Sequence, residues 1–455
     1  MTTKPKVIGE GTYGCVHKPA LTCKNRSNIK DDNIVSKLMK DKNAKEEMTE
    51  FKLMNKADEE LKFHLGKPKS CKVENNIENH IAIRECSGFN SDLIDEYSLL
   101  LLKDGGLNLE QFAKYIKTLN FLKKEDVEIV EKFWLEVTRV LYGIMIMNKK
   151  GIIHHDLKHL NIVYNKDKTR INLIDFGLMT TRKKVVDAST KSKYSFAINH
   201  WSFPVEMKLY NKTIFNWIAK ANDKSQMKYV SENAYEFTDQ HRYIFECILD
   251  DNEKNNYQES VNKRFNHYYQ MIKGLTVNQY DLFLDKAIDT IDTYGAASGL
   301  IYVLKHSRKM LPKMLYYELK DLFDNMLHFN VFIRDSPEEV LSRYENILLK
   351  YDLLKKYNKK IVNHIVVDGS PEIVIDNNVK EQSNKQFLDT LIKKCPEGKE
   401  HNPKTNRCVN VCKEGFERND QFLCRKKKTQ KNTRKRCPNG TKKNKITGKC
   451  DPITK

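Results

Sequence analysis

Over 455 residues the sequence lacks any long apolar run; the longest, around "YGAASGLIYVL" (294 to 304), is too short and too rich in small residues to span a bilayer. The opening "MTTKPKVIGEG" likewise has no apolar core of the signal-peptide kind, so a soluble intracellular protein is expected. Acid is short relative to base. Against 80 Lys+Arg there are 60 Asp+Glu, a formal net charge of +20, which suits an anionic partner or substrate such as a nucleotide, nucleic acid or a membrane surface. Cysteines at metal-ligand spacing are missing from the first 394 residues, where Cys15, Cys23, Cys71, Cys86 and Cys247 are scattered. The last 61 residues differ, crowding Cys395, Cys408, Cys412, Cys424, Cys437 and Cys450 together.

What is present divides into two regimes. Residues 1 to about 355 alternate apolar clusters with charged residues, as folded domains do, and with 40% hydrophobic residues the chain can bury a large core. The stretch "VDGSPEIVIDNNVKEQSNKQ" (367 to 386) is polar and weakly periodic, a linker composition.

Within the first regime, "KVIGEGTYGCVHKP" (6 to 19) sets Gly9, Gly11 and Gly14 among β-branched residues, a strand–turn–strand whose backbone N–H groups can approach phosphate oxygens. Such hairpins are also ordinary turns. The run "NIVSKLM" (33 to 39) reads as a short strand carrying Lys37, and residues 43 to 63 show helical apolar spacing with Glu46, Glu47 and Glu50 on an acidic face. Further on, "IIHHDLKHLNIVYN" (152 to 165) holds Asp156, Lys158 and Asn161, and "INLIDFG" (171 to 177) is a β-like run ending in Asp175-Phe176-Gly177.

Glycine loop, strand lysine, helix glutamate, D-x-K-x-x-N and D-F-G, in that order, resemble the eukaryotic-type protein kinase, over about Val7 to Leu354. The resemblance implies an α+β, bilobal fold: a β-rich small lobe to about residue 104 and a mainly helical large lobe over about 105 to 354. It also implies Mg-ATP, with Mn2+ as an alternative metal, and a protein substrate. Ile8, Gly9, Glu10, Gly11, Thr12, Tyr13, Gly14, Cys15 and Val16 would line the nucleotide, and Lys37, oriented by Glu50, would hold its α/β-phosphates. Glu50 is preferred to Glu46 and Glu47 because it directly precedes an apolar pair, as in the family's helix. Asn161 and Asp175 would bind the metals, Asp156 would accept the proton of the attacking hydroxyl, and Lys158 would neutralise the moving phosphoryl group. A lysine two places after the catalytic aspartate looks like the serine/threonine branch.

By the same resemblance His154 packs beneath the loop, and a three-histidine zinc site is disfavoured; His159 is expected at the surface. His155 stands where the family has an arginine that in many members pairs with a phosphorylated activation loop, so activity without loop phosphorylation is expected. Leu102 would gate the adenine pocket, Lys103 to Gly105 form the hinge, Glu206 pair with Arg334, and Asp292 anchor the catalytic loop from below. Residues 210 to 285 would then be a helical insertion in the large lobe. Departures are Pro204-Val205-Glu206 for A-P-E, Val35 for a smaller residue, and Asn199 for the usual threonine. A scaffold that has lost catalysis is the alternative, though Lys37, Asp156 and Asp175 are all retained.

After a linker over about 355 to 394, "CPEGKEHNPKTNRC", "CKEGFERNDQFLC" and "CPNGTKKNKITGKC" repeat one small cysteine-bounded unit. One cysteine pair per unit favours a disulfide hairpin over a zinc ribbon, with a disordered basic tail as the alternative. The first and last units look like two-cysteine adaptor modules of large nucleocytoplasmic, iridovirus-like DNA viruses, which are sometimes fused to kinases. Residues 395 to 455 carry 18 Lys+Arg and 6 Asp+Glu, and between Arg425 and Lys449 acids and aromatics are both missing. An acidic-protein or polyanion partner held without base stacking is therefore expected.

Overall fold

The computed structural model describes residues 4–11, 14–24, 33–194, 203–240, 242–249, 254–369, 396, 398–402, 407–419, 423–426, 441–443 and 450–452. Thr12, Tyr13, Asn199, Cys395, Cys437 and most of the expected linker lie outside the described residues. The chain is mixed α/β, with a β-rich N-terminal sheet and a helical remainder, and divides into two units, Met1–Ser370 and Pro371–Lys455.

Strands β1 (Lys6–Gly11), β2 (Gly14–Lys18), β3 (Ile34–Lys40), β4 (Lys69–Lys72) and β5 (Tyr97–Lys103) form one antiparallel sheet in the order β1-β2-β3-β5-β4. The period of two sorts its side chains. Cys15, Leu38, Leu99 and Leu101 pack in one apolar cluster with Ala82 and Ile83 of helix α2 (Ile77–Arg84), while Met39 and Leu100 pack with Ala44 of helix α1 (Asp41–Ala57). Helix α1 starts directly after β3 and buries Ala44, Glu47, Phe51 and Met54, the three-and-four spacing of one helical face. Disulfides Cys15–Cys86 and Cys23–Cys71 staple the α2 side of the sheet, so four of the five scattered cysteines are paired; Cys247 is buried and free.

The helical part is built around α10 (Tyr280–Ser307), which is buried on every side from Thr290 to Ile301. Against it pack α3 (Leu109–Ile116), α4 (Lys124–Lys149), α11 (Lys313–Met326) and α12 (Pro337–Lys350). A small antiparallel sheet of β6 (Leu107–Asn108), β8 (Ile162–Asn165) and β9 (Arg170–Leu173), and the pair β7 (Ile152–Ile153) with β10 (Thr180–Thr181), carry the loops of interest. Helix α5 (Arg182–Thr190) follows β10. Most of the segment expected as an insertion is helical: α6 (Lys212–Lys220), α7 (Asp223–Gln240), α8 (Arg242–Ile248) and α9 (Tyr257–Lys273). Ring contacts among Phe237, Phe245, Phe265 and Phe329 merge it into the main core.

Within the stretch expected as linker from about 355, residues 359–368 form a hairpin. This hairpin of β11 (Lys359–Val362) and β12 (Ile365–Asp368) buries Ile365 and Val366, and His364 stacks on Tyr142 of α4 and bonds Glu345 of α12 at 2.9 Å. In the second unit three short hairpins occupy the three repeats: Lys399–Asn402 with Arg407–Asn410, Phe416–Arg418 with Cys424–Lys426, and Thr441–Lys443 with Cys450–Pro452. A disulfide joins Cys412 to Cys424, and Cys408 and Cys450 are also disulfide-bonded.

Candidate active site

The site is assembled from one strand of the sheet, one helix face and two loops. Across β1 and β2, Glu10 faces Cys15 and Gly11 faces Gly14. Gly14 lies so close to β3 that a Cβ would sit 3.0 Å from the Leu38 carbonyl oxygen and 3.1 Å from Lys37 Cγ and Cε, so only glycine fits without displacing that lysine. Val16 pairs with Lys37 across β2 and β3, and Val35 with Leu102 across β3 and β5. Cys15, expected against the nucleotide, instead turns its side chain into the α2 side of the sheet and is bonded to Cys86. Ile8 and Glu10 are exposed, and the Glu10 carboxylate accepts from Ser87 Oγ at 2.7 Å.

Lys37 is the hub. Its Nζ donates to Glu47 Oε2 at 2.7 Å and to Asp175 Oδ1 at 2.9 Å, with only 12% of its side chain exposed. Burial opposes its charge, but Asp175 and Glu47 outweigh it and hold the ammonium group protonated. For Asp175 burial is likewise overcome, first by Lys37, so its carboxyl is kept below the ordinary range. The helix carboxylate is thus Glu47 and not Glu50. Glu47 is on the buried α1 stripe with Ala44, Phe51 and Met54, whereas Glu50 is three residues on, half-buried, with Oε2 lacking a hydrogen-bond partner. Burial, then Glu47 and Glu46, push the Glu50 carboxyl up to about 7. Apolar residues following Glu50 do not reveal which of three neighbouring glutamates faces the strand; the helical phase does.

The loop after β7 provides the second cluster. Lys158 Nζ donates to Asp156 Oδ1 at 2.8 Å and Oδ2 at 3.0 Å, and Asn161 Nδ2 donates to the Asp156 carbonyl at 2.7 Å and to Oδ2 at 2.9 Å. The β8–β9 pairing, Ile162 opposite Leu173, and the bond from Ile174 N to the Asn161 carbonyl at 3.0 Å bring Asn161 beside the chain entering Asp175. Asp175 has φ +62° and a side chain 41% exposed, so its carboxylate stands out of the turn while Phe176 is buried behind it. The Phe176 ring meets Phe51 of α1 at 5.2 Å and His154 at 5.3 Å, linking α1, the Asp175 turn and the loop after β7 through ring contacts.

Beneath the loop stands α10. Asp292 accepts from His154 N at 2.7 Å and His155 N at 2.9 Å, so one buried carboxylate satisfies two successive backbone donors. The small-residue run that is too short to span a membrane proves to be a seat for this loop. A Cβ at Gly295 would collide with the Leu157 carbonyl, and one at Gly299 would lie 2.9 Å from His159 Cα. His159 is partly buried, against Tyr302, rather than at the surface, and its pKa is lowered by that burial. Farther out, Arg334 and Glu206, both fully buried, form a two-pronged ion pair of 2.5 Å and 3.0 Å.

Asp175 and Asn161 offer hard oxygen donors, the kind Mg2+ prefers, and Asp175 adjoins the fixed Lys37 ammonium group. The residues present therefore fit a magnesium–nucleotide complex.

No known family profile and no curated protein matches the chain. Among solved structures it is similar to a rhoptry kinase from Toxoplasma gondii, at 12% identity over 77% of this chain and 79% of that one, with a TM-score of 0.41. Similarity at that level says nothing about activity or substrate.

Proposed function

We propose that the first unit is a serine/threonine protein kinase that transfers the γ-phosphate of ATP to protein hydroxyl groups. The observation that carries this reading is the Lys37–Glu47–Asp175 cluster facing an Asp156 held by Lys158 and Asn161. Phosphoryl transfer needs little covalent help and much positioning of charge. Lys37, kept charged, would clamp the α/β-phosphates. Asp175 and Asn161 would hold Mg2+, which when bound neutralises charge on the phosphate oxygens. Asp156 would take the proton of the attacking hydroxyl, and Lys158, now on its carboxylate, would follow the charge onto the transferred group.

In this reading the small lobe runs to about residue 104, and the large lobe extends past 354 to include the β11–β12 hairpin. Lys158 supports serine/threonine over tyrosine. The second unit would recruit the enzyme to an acidic protein or polyanion, and its likeness to viral adaptor modules supports a viral origin. A catalytically dead scaffold is disfavoured because every charged group that transfer requires is present and paired in register.

Transfer of radiolabelled phosphate from Mg-ATP to a generic protein substrate is the test. Asp156→Asn and Lys37→Met should each lower kcat by roughly 10²-fold or more with the fold retained. Near-normal turnover in either variant would overturn the role assignments.

A further inference from the structure

His155 precedes Asp156 and is where the resemblance leads one to expect an arginine. It is buried at 4% exposure with φ +67°, and its ring lies 5.8 Å from Phe203 and 6.2 Å from Tyr194. Its Nε2 is 2.8 Å from the Tyr194 hydroxyl. Between a ring nitrogen and a phenol hydroxyl either group can donate, the direction following the imidazole tautomer. Burial holds the imidazole pKa down to about 4, so the ring is neutral at physiological pH, and burial also keeps the phenol protonated.

One ring thereby joins two segments, the loop bearing Asp156 and the stretch after α5, residues 191 to 194. Tyr194 is 8% exposed and packs its ring 5.2 Å from that of buried Tyr210, so its hydroxyl has a fixed direction. Helix α5, which precedes that stretch, is pinned at its start by Arg182, which bonds Asp285 at 2.9 Å and also Asp289 on α10. Ser189 is fully buried, so it is no surface for a modifying enzyme.

We infer that the Tyr194 hydroxyl is an internal tether, holding residues 191 to 194 after α5 onto the catalytic loop through His155, so that the site stands assembled without phosphorylation. Tyr194 is a positioning residue that acts through His155, and the inference rests on the phosphotransfer reading for its kinetic consequence.

The test uses the full chain after phosphatase treatment, with dephosphorylated casein and Mg-ATP. Wild type should keep its turnover through the treatment. Tyr194→Phe, which keeps the ring, should lower kcat about tenfold with the KM for ATP unchanged. His155→Leu should lower it at least as much, and the double variant should be no worse than His155→Leu alone, because both remove one bond. Trypsin should cut after Lys191 and Lys193 faster in Tyr194→Phe than in wild type. Full kcat with unchanged cleavage in Tyr194→Phe, multiplying losses in the double variant, or inactivation of wild type by phosphatase would each overturn the tether. Should wild type transfer no phosphate at all, the phosphotransfer reading falls and the cleavage rates alone decide the tether.

Discussion

At the scale of the residue, the division of labour between Glu47 and Glu50 is the sharpest consequence of the geometry. Glu47→Gln removes a charge that holds Lys37 in place, so kcat/KM should fall on the order of tenfold or more, whereas Glu50→Gln should change it less than about twofold. Stability separates the two in another way. The Glu50 carboxyl is raised from an ordinary 4.5 to about 7. As pH climbs through that window the unfolded chain ionises this group more readily than the folded one, and stability is lost. Glu50→Gln should therefore raise Tm at pH 8, by about 2 °C after allowing for partial exposure, and leave it unchanged at pH 4. Thermal melts at the two pH values check this; an equal gain at both would refute it.

At the scale of the element, α10 is a platform whose sequence is set by what rests on it. A helix buried all round must offer its neighbours a fitted surface, and here the fit is made of absent side chains at Gly295 and Gly299 and a carboxylate at Asp292. Gly295→Val should push the Leu157 backbone away, lowering kcat on the order of tenfold and Tm by several degrees, through overpacking that costs about 1–3 kcal/mol. Kinetics and melting of that variant, set beside Ala296→Gly on the same helix, distinguish loss of the seat from a general loss of helix stability. Both variants behaving alike would count against the seat.

At the scale of the whole molecule, the Arg334–Glu206 pair ties the chain between the active-site loops and α6 to the turn before α12. Because neither group is exposed, Arg334→Met would leave a carboxylate buried without its partner. The expected loss is about 3–5 kcal/mol, read from urea unfolding. A loss below about 1 kcal/mol would mean that the site repacks around the charge. The second unit is expected to act apart from the chemistry. Its run from Arg425 to Lys449 has 12 basic residues and none acidic, so removing residues 390 to 455 should abolish salt-sensitive retention on heparin while sparing transfer to a small soluble substrate. Lost transfer in a truncated but folded chain would make the tail part of the catalytic machinery.

Sequence by itself picked out charged and polar groups that the fold brings together: Lys37 with Asp175, Asp156 with Lys158 and Asn161, Asp292 beneath their loop, and the Glu206–Arg334 pair. Each carries a charge or donor in a motif whose spacing is set by one turn or one strand, and such local spacing is legible without a fold. What the tertiary structure decided was every choice among chemically equivalent neighbours. Glu47 wins over Glu50 because of helical phase, and Cys15 faces α2 rather than the nucleotide because alternate strand residues point to opposite faces. His155 takes Tyr194 as its partner because the chain after α5 returns to the loop after β7 and sets the phenol hydroxyl 2.8 Å from its ring. The β11–β12 hairpin joins the first unit through Ile365, Val366 and His364. For Cys15, His155 and the hairpin the deciding contact lies far along the chain, and only folding brings the two together.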